Sequence, residues 1–211
     1  MTNEKTIESD DYHDYVIKDG KLVGRFEEMY RNCDNPWPET EEELEFLPTS
    51  SRTPQIINHY GYKQIFSVGS GKGMHLNWLR KKCPHIKVEG CEISKTAANI
   101  CRRNYPEITV HVMDVAEFPS HDFDFDLILI RETVWYILKH WQEFCDHIRE
   151  KYRGCHIIIE LSFYDTQTYG NDYFDGPDEF VAKFPFEIKE IVRYHVTKKQ
   201  REGMISVYGK I

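Results

Sequence analysis

At 211 residues, with a formal net charge of −8 and 40% hydrophobic residues, the chain is long enough for one full core and short for two. Its charge is unevenly placed: residues 1–50 carry 14 Asp and Glu against 5 Lys and Arg, whereas the other 161 carry 21 against 22. With no basic stripe, this balance excludes a protein-wide attraction to nucleic acid or anionic membrane, and it divides the chain into an acidic extension (1–50) and one folded domain (51–211).

No apolar run approaches the roughly 20 residues that span a bilayer, and no signal peptide opens the chain, so a cytoplasmic protein is expected, as a monomer or homodimer. The six cysteines form no CxxC pair. The close pairs Cys145–His147 and Cys155–His156 have no second pair at zinc-site spacing, so incidental thiols and no metal are expected.

In chain order, residues 1–15 are polar and expected to be poorly ordered, and "PWPETEEELEFLPTS" (36–50) reads as irregular with one short acidic helix. From Gln64 the pattern alternates. "KQIFSVG" (63–69) is a strand and "MHLNWLRKKC" (74–83) a helix; "IKVEGCEI" (86–93) is a strand and "SKTAANICRRNY" (94–105) a helix with Ser94 as N-cap. "ITVHVMD" (108–114) is a third strand, and "FDLILIR" (125–131), the most apolar run, a strand buried on both faces. "TVWYILKHWQEFCDHIREKY" (133–152) reads as one helix ended by Gly154, and "CHIIIELSF" (155–163) as a strand. Two strands, 186–197 and 203–211, close the chain. Five βα alternations and a terminal antiparallel pair predict an α/β fold with a mainly parallel sheet covered on both faces.

Three glycines in "GSGKG" (69–73) fall between the first strand and its helix. A phosphate loop is excluded, because Lys72 is followed by Gly73 and Met74 with no hydroxyl to hold magnesium. A dinucleotide fingerprint wants a small third residue, and counted from Gly69 that position is Met74. What remains is GxGxG, whose three bare Cα positions would let a ligand lie directly on the turn. Its partners stand at successive strand ends. Glu92, nineteen residues after Gly73, can accept from a ribose diol; Asp114 and the Val115 N–H can meet an adenine edge, with Ile93 and Met113 as apolar flanks.

Gly69-x-Gly71-x-Gly73, Glu92 and Asp114, with the terminal strand pair, resemble the class I S-adenosylmethionine-dependent methyltransferases over residues 60–211. The resemblance implies a Rossmann-like, doubly wound sheet of seven strands in the order 3-2-1-4-5-7-6, with strand seven (205–211) antiparallel. It also implies S-adenosylmethionine as cofactor, held by Ser67, Gly69, Ser70, Gly71, Gly73, Glu92, Ile93, Asp114, Val115 and Arg131. More narrowly, "FEEMYRNCDNPW" (26–37), "DLILIRETVWYIL" (126–138) and "FYDTQTYGNDYF" (163–174) are similar to small bacterial methyltransferases related to the NodS-type sugar N-methyltransferases, a group often associated with surface polysaccharides. One position departs from the family. Ser67 stands where an Asp or Glu usually helps anchor the cofactor's amino group, so that charge must come from elsewhere, with Glu132 or the acidic extension as candidates.

Methyl transfer requires alignment of the acceptor and removal of its proton. Glu132, after strand four, is the first candidate for base or amine anchor, or else complements a helix N-terminus. Arg131 could meet an anionic acceptor or form a plain salt bridge. Tyr136 and His75 complete the catalytic candidates. Trp135, Tyr164, Tyr169 and Tyr173 could wall a pocket for a small polar acceptor or pack as core and lid. Tyr30 and Trp37 could close over the cofactor or cap the sheet end. The acceptor classes in view are a sugar-like small molecule and a peptide or protein; a binding protein that has lost the reaction is the remaining alternative.

Overall fold

A computed structural model describes residues 9–196 and 201–211; the expected strand boundary at 197 and residues 1–8 lie outside them. Seven strands form one sheet: β1 (Gln64–Val68), β2 (Lys87–Glu92), β3 (Thr109–Val112), β4 (Leu127–Arg131), β5 (His156–Tyr164), β6 (Glu187–Val196) and β7 (Arg201–Lys210). Their order is 3-2-1-4-5-7-6, with β1 to β5 parallel and β7 antiparallel to both β5 and β6. The Rossmann-like doubly wound sheet expected from the sequence is therefore present.

Five longer helices flank or precede the sheet, α1 (Phe26–Asn32), α3 (Pro48–Tyr60), α4 (Met74–Lys82), α5 (Lys95–Asn104) and α6 (Trp141–Lys151), with two shorter ones, α2 (Glu41–Phe46) and α7 (Pro177–Ala182). Alternation along each strand divides the core. On one face Ile65, Leu127, Leu129 and Ile158 pack with Ile56, Ile57, Leu76 and Leu79 of α3 and α4. On the other, Phe66, Val68, Ile128 and Ile130 pack with Phe144 and Ile148 of α6. Leu127 to Ile130 are completely buried, as a strand covered on both faces requires, and each such side chain contributes about 1.5–3 kcal/mol.

Two local expectations need correction, and one helix went unforeseen. The helix expected over 133–152 begins as two 3₁₀ turns, Val134–Tyr136 and Leu138–His140, before α6. Trp135 Nε1 donates to the Ser162 carbonyl at 3.0 Å and its ring packs against Phe163, which draws this first part onto β5. Residues 9–15 are packed, not loose: Tyr15 is fully buried, and its hydroxyl receives the Ser9 N–H at 2.9 Å and donates to the Ser9 carbonyl. Helix α3 is masked in the sequence by Pro54 in its interior.

The expected acidic helix is α2, closed by a capping box in which Thr40 Oγ1 receives the Glu43 N–H and the Glu43 carboxylate receives the Thr40 N–H. The N-terminal segment reaches the ends of β2 and β4 through Glu27, which accepts from Ser94 and Thr96, and Glu39, which pairs with Arg131. Glu41 and Glu45 of α2 instead pair with Lys81 and Lys82 of α4. Among the described residues, no helix is long and apolar enough to cross a membrane.

Candidate active site

The glycine turn is tied to β2 by backbone bonds, since the N–H groups of Gly69 and Ser70 both donate to the Cys91 carbonyl, at 3.0 and 2.9 Å. All three glycines have positive φ, but they are not equally bare to a ligand. A Cβ on Gly69 would lie 2.3 Å from Thr133 Oγ1, and one on Gly73 would lie 2.2 Å from Cys101 Sγ. These two glycines let protein close on protein: Gly69 admits the loop after β4, and Gly73 lets α4 press on α5. Only Gly71 faces the ligand edge, where its nearest neighbour is the Tyr30 hydroxyl. The expectation that all three Cα positions cradle a ligand is corrected to one. Gly90, in β2, is an unforeseen fourth requirement, because a Cβ there would meet Ser70 Oγ at 2.4 Å.

Glu92 is almost fully buried. Its two carboxylate oxygens accept from the N–H groups of Gly71 at 2.8 Å and Ser94 at 2.9 Å. Burial raises its pKa against the lowering effect of those bonds. Each oxygen keeps a second lone pair, the pair of acceptors that a ribose diol needs.

Asp114 caps the 3₁₀ turn Val115–Ser120 in a capping box with Glu117, and its Oδ1 takes the Ala116 N–H at 2.9 Å. Ile93 is exposed at 47% and offers a flat apolar face, whereas Met113 and Val115 are buried; Met113 belongs to the core and is corrected from a flank. The Ser67 side chain is buried and uncharged, and Ser70 Oγ is buried without a hydrogen-bond partner.

Beyond Gly69 the site changes character. Arg131 ends β4 and pairs in register with Glu160 of β5, which pairs in turn with Ser206 of β7. One row below, Leu129, Ile158 and Tyr208 occupy the same face. The core becomes polar within a single row. Arg131 Nε donates to Glu160 Oε2 at 3.0 Å, and its Nη2 pairs with Glu39 from the N-terminal segment. Glu160, completely buried, also accepts from Ser50 Oγ at 3.0 Å and Thr53 Oγ1 at 2.6 Å, both on α3. Burial disfavours the charge on Arg131, but Glu160, Glu39 and Glu132 outweigh it and keep the guanidinium firmly protonated. Glu39 shows the converse: burial raises its pKa more than Arg131 lowers it.

Glu132 has φ +52°, a left-handed conformation rare for a side chain of its size and of the kind that collects at functional sites. Its carboxylate receives the Ser162 hydroxyl at 2.6 Å and the Ser162 N–H at 3.1 Å. His75 stacks on Trp78, and its Nε2 is buried with no partner. Burial, then the nearby positive charge of Arg131, hold its pKa well below the ordinary histidine value, so the ring is neutral.

The aromatic candidates separate. Tyr30, Trp37 and Tyr136 converge: Trp37 Nε1 donates to the Tyr30 hydroxyl at 2.9 Å, and the Tyr136 ring lies 6.0 Å from Trp37 and 5.2 Å from Phe26. Burial, then Glu92, keep the Tyr30 phenol protonated; burial, then Glu132, do so for Tyr136. Trp135 is core, as is most of Tyr169, while Tyr164 and Tyr173 are 40% and 43% exposed. A recess behind β5 is lined by Phe163, Tyr164, Asp165, Gln167, Asn171 and Phe174. Trp135 and Tyr169 are therefore not its walls.

Residues 65–153 match the family described as methyltransferase domain. The chain carries a class I S-adenosylmethionine-dependent methyltransferase domain. Solved methyltransferase structures share its fold. The N-methyltransferase NodS from Bradyrhizobium japonicum WM9, in complex with S-adenosyl-L-homocysteine, superposes with TM-score 0.57 at 14% identity, over 84% of this chain and 92% of that one. The plantazolicin methyltransferase BpumL, also with S-adenosylhomocysteine, gives 0.59 at 15%, over 81% and 84%. The methyltransferase domain of bacterial CtHen1 gives 0.61 at 11%, over 82% and 100%. No curated protein sequence matches the chain. The strand-end residues suit S-adenosylmethionine: a diol acceptor at Glu92, a bare Cα at Gly71 and an exposed apolar face at Ile93.

Glu39 was foreshadowed only as one of many acids in the N-terminal extension, and the α3 hydroxyls carried no signal in the sequence. Glu160 did leave a trace, as a lone acid inside the apolar run "IIIELSF".

Proposed function

We propose that this methyltransferase modifies a hydroxyl or amine of a small polar acceptor in the cytoplasm, a sugar, nucleotide sugar or phosphoryl-modified intermediate of bacterial surface-polysaccharide assembly. The observation that carries the reading is the recess behind β5, where Tyr164 stands among the hydrogen-bonding side chains of Asp165, Gln167 and Asn171. An aromatic plane beside amide and carboxylate groups suits a polyhydroxylated ligand, which presents an apolar face and a polar rim.

The bound cofactor supplies an electrophilic methyl group on a sulfonium. The chain's own contribution is alignment and proton removal. Phe163 and Tyr164, which line the recess, directly follow Ser162, the residue that fixes the Glu132 carboxylate. Glu132, joined to the head of the recess through Ser162 and held in one orientation by two hydrogen bonds and a left-handed backbone, is the base we assign to the reaction. Arg131 is engaged by two carboxylates, which favours an uncharged acceptor group over a phosphate at that point.

The test is release of S-adenosylhomocysteine across sugars, nucleotide sugars, sugar phosphates and peptides. Release with one of the carbohydrate classes is expected, with Glu132→Gln reducing it by about 10²–10⁴-fold. Turnover on peptides alone would replace the acceptor class, and cofactor binding without release on any acceptor would favour a non-catalytic binding protein.

A further inference from the structure

Arg131 is the only cation among three carboxylates, Glu39, Glu132 and Glu160, that raise its pKa together. Glu160 is a fixed member, held by Ser50, Thr53 and Arg131 Nε. Glu39 is different. It arrives from outside the sheet on the N-terminal segment, and its carboxylate pairs with Arg131 Nη2.

Two further buried polar atoms, on α3 and α4, have no hydrogen-bond partner among the described residues. Thr49 is completely buried with an unpartnered hydroxyl. It lies on the face of α3 that carries Thr53, one turn nearer the ligand edge of the sheet. The buried, unpartnered Nε2 of His75, near enough to Arg131 to feel its charge, is the second. A buried hydrogen-bonding group without a partner is costly, and two around one charge cluster mark a polar ligand that belongs there.

The direction of the cofactor identifies that ligand. Adenine at Asp114 and ribose at Glu92 occupy the ends of β3 and β2, so the α-amino-acid end must run the other way, across Gly71 and Gly69. The next strand is β4: Val68 pairs with Ile130, which sets Gly69 beside Arg131. An α-amino acid is a zwitterion and needs a cation for its carboxylate and an anion for its ammonium. On this face β1 offers only the Ser67 hydroxyl, so the anion must come from elsewhere.

We propose that the Glu39–Arg131 ion pair stands in for the amino-acid end of S-adenosylmethionine and exchanges with it, Arg131 taking the ligand's carboxylate and Glu39 its ammonium. The buried salt bridge of the free protein is replaced by two salt bridges to ligand, so no charge is left unpaired at any stage. The Thr49 hydroxyl and His75 Nε2 complete the hydrogen bonds of the zwitterion. Glu39 thereby makes the N-terminal segment part of the cofactor site, and a ligand without the amino-acid end leaves the original pair closed.

The experiment is calorimetric titration of three ligands into wild type and Glu39→Gln: S-adenosylhomocysteine, its decarboxylated analogue, which keeps the ammonium, and 5′-methylthioadenosine, which lacks the whole amino-acid end. Glu39→Gln is expected to weaken the first two by about 10- to 100-fold, the usual loss on removing a charged hydrogen-bond partner, and to change 5′-methylthioadenosine by less than twofold. Undiminished 5′-methylthioadenosine binding also shows that the variant is folded. Equal weakening of all three ligands would make Glu39 part of a general cover and overturn the proposal; so would no weakening of any.

Discussion

The two halves of the cofactor cleft hold their buried carboxylates in opposite ways. At the adenosine half, Glu92 is held by backbone N–H groups of the turns beside it, Gly71 and Ser94. At the other half, Glu160 is held by side chains from two distant elements: Arg131 of β4, and Ser50 and Thr53 of α3, more than a hundred residues away. Backbone donors come with the fold and need no particular side chain. Side-chain donors must each be specified, and losing one leaves a charge stranded in the core. The adenosine half should therefore tolerate substitution as a local loss of binding, whereas the Arg131 half should respond in the stability of the whole protein.

The largest effect expected is at Arg131. Arg131→Met leaves the fully buried Glu160 without its cation, and denaturant unfolding should show a loss of about 3–5 kcal/mol. A loss below 1 kcal/mol would mean that Ser50 and Thr53 alone sustain the charge, and the contrast between the halves would break.

The glycine turn sharpens the comparison within the adenosine half. Gly73→Ala forces a Cβ onto Cys101 at 2.2 Å with φ +83°, and about 2–3 kcal/mol of stability should be lost. Gly71→Ala meets only the Tyr30 hydroxyl at 3.2 Å and should cost about 1 kcal/mol, with its larger effect on S-adenosylhomocysteine binding. Thermal unfolding of both variants, set beside their titrations, separates packing from cradle.

Glu92→Ala should weaken S-adenosylhomocysteine by about 10- to 100-fold in calorimetry while the fold persists, because the two N–H groups it abandons lie at the cleft. Global unfolding of this variant would place Glu92 with Glu160 as a structural charge.

The smallest effect concerns the clasp between α1 and α5. Burial raises the Glu27 pKa, but hydrogen bonds from the Thr96 N–H, Ser94 Oγ and Thr96 Oγ1, with Arg31 nearby, bring it down to about 2 from an ordinary 4.5. A depressed carboxyl pKa stabilises the folded state above pH 4.5, and that contribution is lost as the pH falls through 4.5 toward 2. Because the Glu27 side chain is 33% exposed, screening reduces the contribution to about 1–2 kcal/mol. Stability measured from pH 6 to pH 2 should fall less steeply for Glu27→Gln than for wild type by that amount.

Much of this was legible in the sequence for a physical reason. Strand and helix periods, the Ser94 cap, the glycine turn and the acid at the end of β2 are signals carried within a few neighbouring residues; they sufficed for the alternation of strands and helices and for the family resemblance that implied the sheet order. Even there tertiary packing reassigned two of three glycines, because only the fold shows that Thr133 and Cys101 are what crowd them. The "FDLILIR" run showed that β4 is buried on both faces, but not that Arg131 at its end would be clasped by Glu39 and Glu160.

Local signals in the chain, with the family resemblance they carry, determined the fold. The polar row at the ends of β4 and β5, the strained Glu132 and the arrival of Glu39 were decided only by tertiary structure. A charge can be buried only where distant segments supply its partners, and no stretch of sequence contains them all.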